Sequence, residues 1–168
     1  MHVRASAAEW VGLDTVEVYA NGAYTIPAPA GQLPDPVLPI YCFTTRTVPS
    51  TRCGQAIGGA RPLTIATVEV RPGHRRVEAS IDLPIDVDQV VARNRVGATG
   101  RDLWLVVRAA SRRSLFPVVP DDVDDGDVTI AELVDGLVPD GQGNLPQAIS
   151  NPIFVDTDGG GWRAPFAP

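Results

Sequence analysis

Hydrophobic and polar residues alternate most cleanly over Asp14–Ala20. Val16, Val18 and Ala20 fall on one face, and Thr15, Glu17 and Tyr19 on the other. That period of two is the mark of a half-buried strand. Asn21-Gly22 follows at once and leads into Ala23-Tyr24-Thr25-Ile26. Both turn residues accept positive φ, so this stretch predicts a β-hairpin. A second pair of strands is predicted at Leu63–Arg71 and Arg75–Leu83, around a Pro72-Gly73 turn. In the second of these, Val77, Ala79, Ile81 and Leu83 share one face, and Glu78, Ser80 and Asp82 share the other. Leu103–Ala109 is nearly continuous apolar and predicts a central strand covered on both faces. Leu115–Val119 reads as a short strand that Pro117 confines to an edge or a bulge. Asn151–Val155 reads as a last buried strand, turned out of the sheet by Asp156–Trp162.

Elsewhere the pattern dissolves. Val3–Ala8 is too short to assign. Residues 27–62 predict a long loop insertion, with six prolines between Pro27 and Pro49. Ile85–Arg95 admits a short helical turn, and Leu133–Leu137 one or two turns of helix. Many short strands with no alternating long helices predict an all-β fold. The expected architecture is an immunoglobulin-like or related β-sandwich with a long Pro-rich loop and one short helix. No repeat or second domain is visible, so residues 1–168 read as one accessory-sized unit.

Composition narrows the function classes. The net charge of −6 argues against nucleic-acid or anionic-membrane partners, which need a basic face. No apolar run is long enough to span a membrane. The opening residues lack a charged segment followed by an apolar core, so no signal peptide is expected. All 14 basic residues are arginine. Cys42 and Cys53 are the only cysteines. They either close a disulfide in an exported protein or remain two buried thiols. With no histidine nearby, they offer too few ligands for zinc.

Two acidic stretches invite a calcium reading. In Asp121–Glu132 the third position of an EF-hand-like loop is Val123, which has no side-chain oxygen. A capping box from Thr129 to Glu132 explains that segment better. Asp156-Thr157-Asp158-Gly159-Gly160-Gly161 resembles the first half of a D-x-D-x-D-G loop. Asp156 and Asp158 are therefore candidates for a structural Ca²⁺, with Gly160 where a third acid belongs. The alternative is a polar turn that needs glycine for positive φ. His2 and His74 have no acid or histidine at ligand spacing, and neither a G-x-S-x-G elbow nor a Walker loop is present. No catalytic residue and no required cofactor are expected. Trp10, Tyr24 and Trp162 are candidates for a sugar-stacking platform, and Trp104 reads as core.

The run Asn151-Pro152-Ile153-Phe154-Val155-Asp156-Thr157-Asp158-Gly159-Gly160-Gly161-Trp162 resembles the end of bacterial CehA/McbA-type metallohydrolases, a branch of the PHP phosphoesterase-like proteins. Val16–Gly22 and Asp102–Arg108 agree with it, in order. Chains of that family finish on an N-P-I-F-V-D-x-D-G-D-G-W-like stretch, from which Gly160 departs. The resemblance implies the β-rich C-terminal part of such a protein, with the hydrolytic metals held by another, N-terminal domain. It implies a non-enzymatic role for this chain and a partner in the catalytic domain of the same polypeptide. It also implies export to the periplasm, cell surface or exterior, which favours a Cys42–Cys53 bridge. An independent carbohydrate or surface-polymer binding module is the alternative function.

Overall fold

The computed structural model describes residues 1–20, 38–47, 49–93, 102–111 and 146–163. These form strands in two sheets with two short helices. The strands are β1 (His2–Ala8), β2 (Thr15–Ala20), β3 (Tyr41–Thr44), β4 (Ala60–Pro62), β5 (Ala66–Arg71), β6 (His74–Asp82), β7 (Leu103–Ala110), β8 (Gln147–Ile149) and β9 (Ile153–Val155). The helices are α1 (Thr51–Gly54) and α2 (Val87–Arg93). One sheet has the order β1-β6-β5; the other runs β4-β3-β2-β7-β8, with β9 also paired to β7.

The two sheets share a core. Val3, Ala79 and Ile81 of the small sheet join Val16, Val18, Tyr41, Phe43, Leu103 and Leu105 of the large one in a single buried cluster. Each large aliphatic side chain hidden this way contributes about 1.5–3 kcal/mol. The inward faces are those that alternation assigns: Val16 and Val18 in β2, and Ala79, Ile81 and the following Leu83 in β6. β5 and β6 form a hairpin whose turn places Gly73 at φ 76, where a Cβ would be strained. α2, at Val87–Arg93, lies within the stretch read as a helical turn, and the Asp86 carboxylate accepts from the Gln89 backbone N–H at 3.0 Å, as an N-terminal cap does.

Several expectations change. The stretch Val3–Ala8, left unassigned, lies in β1, paired along its whole length with β6. Its inward residues after Val3 are alanines, so the hydrophobic alternation is faint. The 27–62 insertion is not all loop, since it contains β3, α1 and β4. All four residues of β3 are buried, covered on one side by the core and on the other by α1. Such a strand has no polar alternation to betray it, and the surrounding prolines hide it further. β2 is flanked by β3 on one edge and β7 on the other over Thr15–Val18. The predicted Asn21-Gly22 turn and the run over residues 23–26, Tyr24 included, lie outside the described residues. So do Leu115–Val119, the acidic stretch Asp121–Glu132 and Leu133–Leu137.

Among the described residues β7 is an inner strand, paired with β2 on one side and with β8 and β9 on the other, but only one of its faces is fully buried. Leu103 and Leu105 are buried, while Trp104 and Val106 on the opposite face are half-buried. Trp104 thus faces outward, opposite Phe154, and is not core. β8 and β9 run along the free edge of β7 as one interrupted strand. Arg108 faces Ile149 and Leu105 faces Ile153, so three steps on β7 match four on its partner. The extra residue is a bulge at Ser150-Asn151-Pro152. There Ser150 donates its N–H to the Val107 carbonyl at 2.9 Å, and its Oγ accepts from the Val107 N–H at 3.0 Å. The last strand is not buried: Ile153 and Phe154 are 44% and 59% exposed. Among the described residues it has a neighbour on one side only, β7.

Candidate functional site

The closing turn is built by carboxylates collecting backbone amides. Asp156 ends β9. Its Oδ1 accepts from Gly159 N–H at 2.7 Å and from Asp158 N–H at 3.2 Å, and its Oδ2 from Gly161 N–H at 2.9 Å. Asp158 repeats the device with Gly160 N–H at 2.8 Å. Gly159 and Gly161 have φ of 78 and 87, the left-handed region that favours glycine. Three amides converging on one carboxylate stabilise its charged form. The N–H groups of Gly161, then Gly159, hold the Asp156 carboxyl below its ordinary value.

A third carboxylate completes the turn from the far side. Asp102, which precedes β7, is 5% exposed. Its Oδ1 accepts from Thr157 N–H at 3.0 Å and its Oδ2 from Arg163 N–H at 2.6 Å. Trp162 donates its ring N–H to the Leu103 carbonyl at 3.0 Å and leans on Phe154, with centroids 4.5 Å apart. The turn is thereby sewn to the start of β7.

Carboxylate oxygens of Asp102, Asp156 and Asp158 lie within 4.8 Å of one another. Asp102 supplies in space the third acid that Gly160 withholds in sequence. Backbone N–H groups from Thr157 to Arg163 already hold these oxygens, so the three acids have a structural occupation that requires no ion.

Of the sugar-platform candidates, Tyr24 lies outside the described residues, and Trp10 and Trp162 are not brought together. Trp10 is 58% exposed in the turn after β1, near the Ala110 end of β7. Trp162 is 37% exposed at the Leu103 end. The length of β7 separates them, about 23 Å at the rise of a strand. Trp162 instead pairs with Phe154 at an interplanar angle of 59°, which is tilted rather than flat.

The outward face of the large sheet carries a polar network that alternation did not announce. Glu17, on the nominally polar face of β2, is 5% exposed. Tyr19 O–H donates to its Oε2 at 2.8 Å, and Arg108 Nη1 donates to the same atom at 3.0 Å. Arg52 donates to the Tyr19 hydroxyl at 3.1 Å, and Arg108 Nε to Gln147 at 3.1 Å. Burial first, and the Glu17 charge second, push the Tyr19 phenol above its ordinary value. Beside this network Cys42 and Cys53 are joined as a disulfide, with Cα atoms 5.3 Å apart. The bond ties β3 to α1, whose cap Ser50 accepts from Cys53 N–H.

A cleft of about 140 Å³ opens between the sheets near the β1–β2 turn. Small residues line it, among them Ser6, Ala109, Ala148 and Gly12, and among the described residues no titratable side chain does. His2 pairs with Asp82 at 2.8 Å on the surface, away from the acids of the closing turn. Among the described residues, the acids that cluster are thus anchored to backbone or to arginine. Exposed large apolar side chains on β8, β9 and the closing turn are Ile149 at 63%, Ile153, Phe154 and Trp162, of which Phe154 and Trp162 touch. Phe154 and Asp102 were not singled out from sequence. Their signals were an aromatic alternating with β-branched residues and an acid placed immediately before an apolar strand.

No family model matches the chain, and neither a curated protein nor a solved structure does.

Proposed function

We propose that this chain is a non-catalytic accessory domain, an immunoglobulin-like β-sandwich in type, of a larger bacterial metallohydrolase. It rests against the catalytic domain of that protein through the β8–β9 edge. The observation that carries this reading is the exposed Phe154–Trp162 pair, two aromatic rings in contact on the outward side of the edge strand and its following turn. Scattered exposed apolar residues are ordinary, but a contiguous group marks an interaction surface. Each such side chain adds about 1.5–3 kcal/mol when buried by a partner. The Ser150–Pro152 bulge and Pro152 itself, which has no N–H, interrupt the edge. They favour side-chain docking over strand addition. The sequence resemblance supplies the identity of the partner. The disulfide supports an oxidising, exported location.

The carbohydrate reading ranks behind, because the one aromatic pair on this edge is tilted and Trp10 is far from it. Calorimetric titration of the chain against a catalytic domain of this metallohydrolase type tests the proposal. Binding is expected, and Phe154→Asp should abolish it. Absence of binding, or turnover of phosphate esters by this chain alone, overturns it.

A further inference from the structure

The buried carboxylate of Glu17 has no part in docking, yet it sits beside the disulfide. A Glu17 oxygen and the sulfurs of Cys42 and Cys53 all lie within 4.8 Å of one another. All three residues are buried, at 5%, 0% and 2% exposure. The carboxylate cannot swing away, because Tyr19 and Arg108 both hold its Oε2, and Gln147 holds Arg108 in turn. Cys42 faces Glu17 across the β2–β3 pair, so the backbone register fixes the approach.

Reduction of a disulfide requires negative charge on sulfur. A reductant thiolate attacks one sulfur, forms a mixed disulfide and expels the other cysteine as a thiolate. In reduction by a dithiol, the second thiol then displaces the first cysteine. The dithiol ends as a cyclic disulfide, and Cys42 and Cys53 have gained two electrons and two protons between them. Both the incoming and the leaving thiolate must exist next to a fixed carboxylate in a site poor in water. Like charges at this separation repel more strongly there than in bulk water, although the Arg108 guanidinium on Oε2 offsets part of the Glu17 charge.

We propose that Glu17 guards the Cys42–Cys53 bond: its carboxylate, held in place by Tyr19 and Arg108, opposes the thiolate that any thiol reductant must create. Glu17 is a positioning and electrostatic residue here, not a catalytic one. The guarded object is the tie between β3 and α1, which closes the connection to β4. The inference is independent of the docking partner.

The test is the rate at which dithiothreitol reduces the folded chain, read by alkylation and mass. Glu17→Gln keeps the shape and a hydrogen-bond acceptor for Arg108 but removes the charge. It should be reduced about tenfold faster than the native chain. Tyr19→Phe loosens the same network while leaving the carboxylate, and should stay within about twofold. Glu17→Asp keeps the charge but draws it back by one methylene, and should fall between the two, which provides a second measure if the glutamine variant does not fold. An unchanged rate in Glu17→Gln, or equal acceleration in Glu17→Gln and Tyr19→Phe, overturns the proposal. The latter outcome would show that loosening alone opens the bond.

Discussion

The two ends of β7 bury negative charge by different means. At the Leu103 end, Asp102 and its surface companion Asp156 are satisfied by backbone N–H groups of one short turn. At the Arg108 end, Glu17 is satisfied by side chains that arrive from β2, β7 and, through Tyr19, α1. Backbone amides are fixed by local chain geometry and carry no charge of their own to desolvate. A guanidinium must itself be taken out of water, so its pairing is costly to form and costlier to break from one side. The first arrangement fastens the closing turn to the start of β7, beside the edge proposed for docking. The second makes a local field beside a disulfide.

Substitutions that sever one end and spare the other separate these roles. The largest effect is expected from replacing both cysteines with alanine. For a sequence separation of 11 the chain-entropy estimate is about 3 kcal/mol of lost stability, measured by denaturant unfolding. Glu17→Ala should cost about 2–3 kcal/mol, below the usual price of a broken buried pair, because the Arg108 side chain is 32% exposed and regains water. Asp102→Ala strands the Thr157 and Arg163 amides and should cost about 2 kcal/mol, with a change in Trp162 fluorescence that Glu17→Ala does not produce.

Acid provides a smaller, local perturbation. The folded-state pKa of Asp156 is lowered from the ordinary 3.8. Its contribution is therefore complete above that value and is lost as pH falls through the lower, folded-state value. Trp162 emission should stay constant down to that range and change below it, while Asp156→Asn should have lost the transition. A transition unchanged in the variant would assign it to another group. The smallest effect is expected from calcium. Because the turn oxygens already hold amides, melting with calcium and with chelator should coincide. A higher melting temperature in calcium would show that Asp102, Asp156 and Asp158 hold the ion after all.

The legible parts were those where neighbours in sequence are neighbours in space. Val77, Ala79, Ile81 and Leu83 alternate within one strand, and Pro72-Gly73 turns the chain locally, so the β5–β6 pair could be read directly. The glycines after Asp156 signalled a turn for the same reason. β3 escaped because both its faces are covered, which erases alternation. Glu17 escaped because an acid on a polar face looks solvated until Arg108 and α1 are placed over it. The exposure of Ile153 and Phe154 escaped because apolar β-branched composition is the same for a central strand and for an exposed edge strand.

The sequence by itself therefore determined an all-β chain, the faces of β2 and β6, the β5–β6 turn, and a glycine-dependent acidic turn near the end. These follow from backbone sterics and a two-residue period, which act over a few positions. Only the tertiary structure decided that β2 lies between β3 and β7 and that Asp102 reaches the closing turn. It alone brought Glu17 to the two sulfurs. Those contacts join residues tens of positions apart, and what selects them is the packing of whole sheets around a shared core.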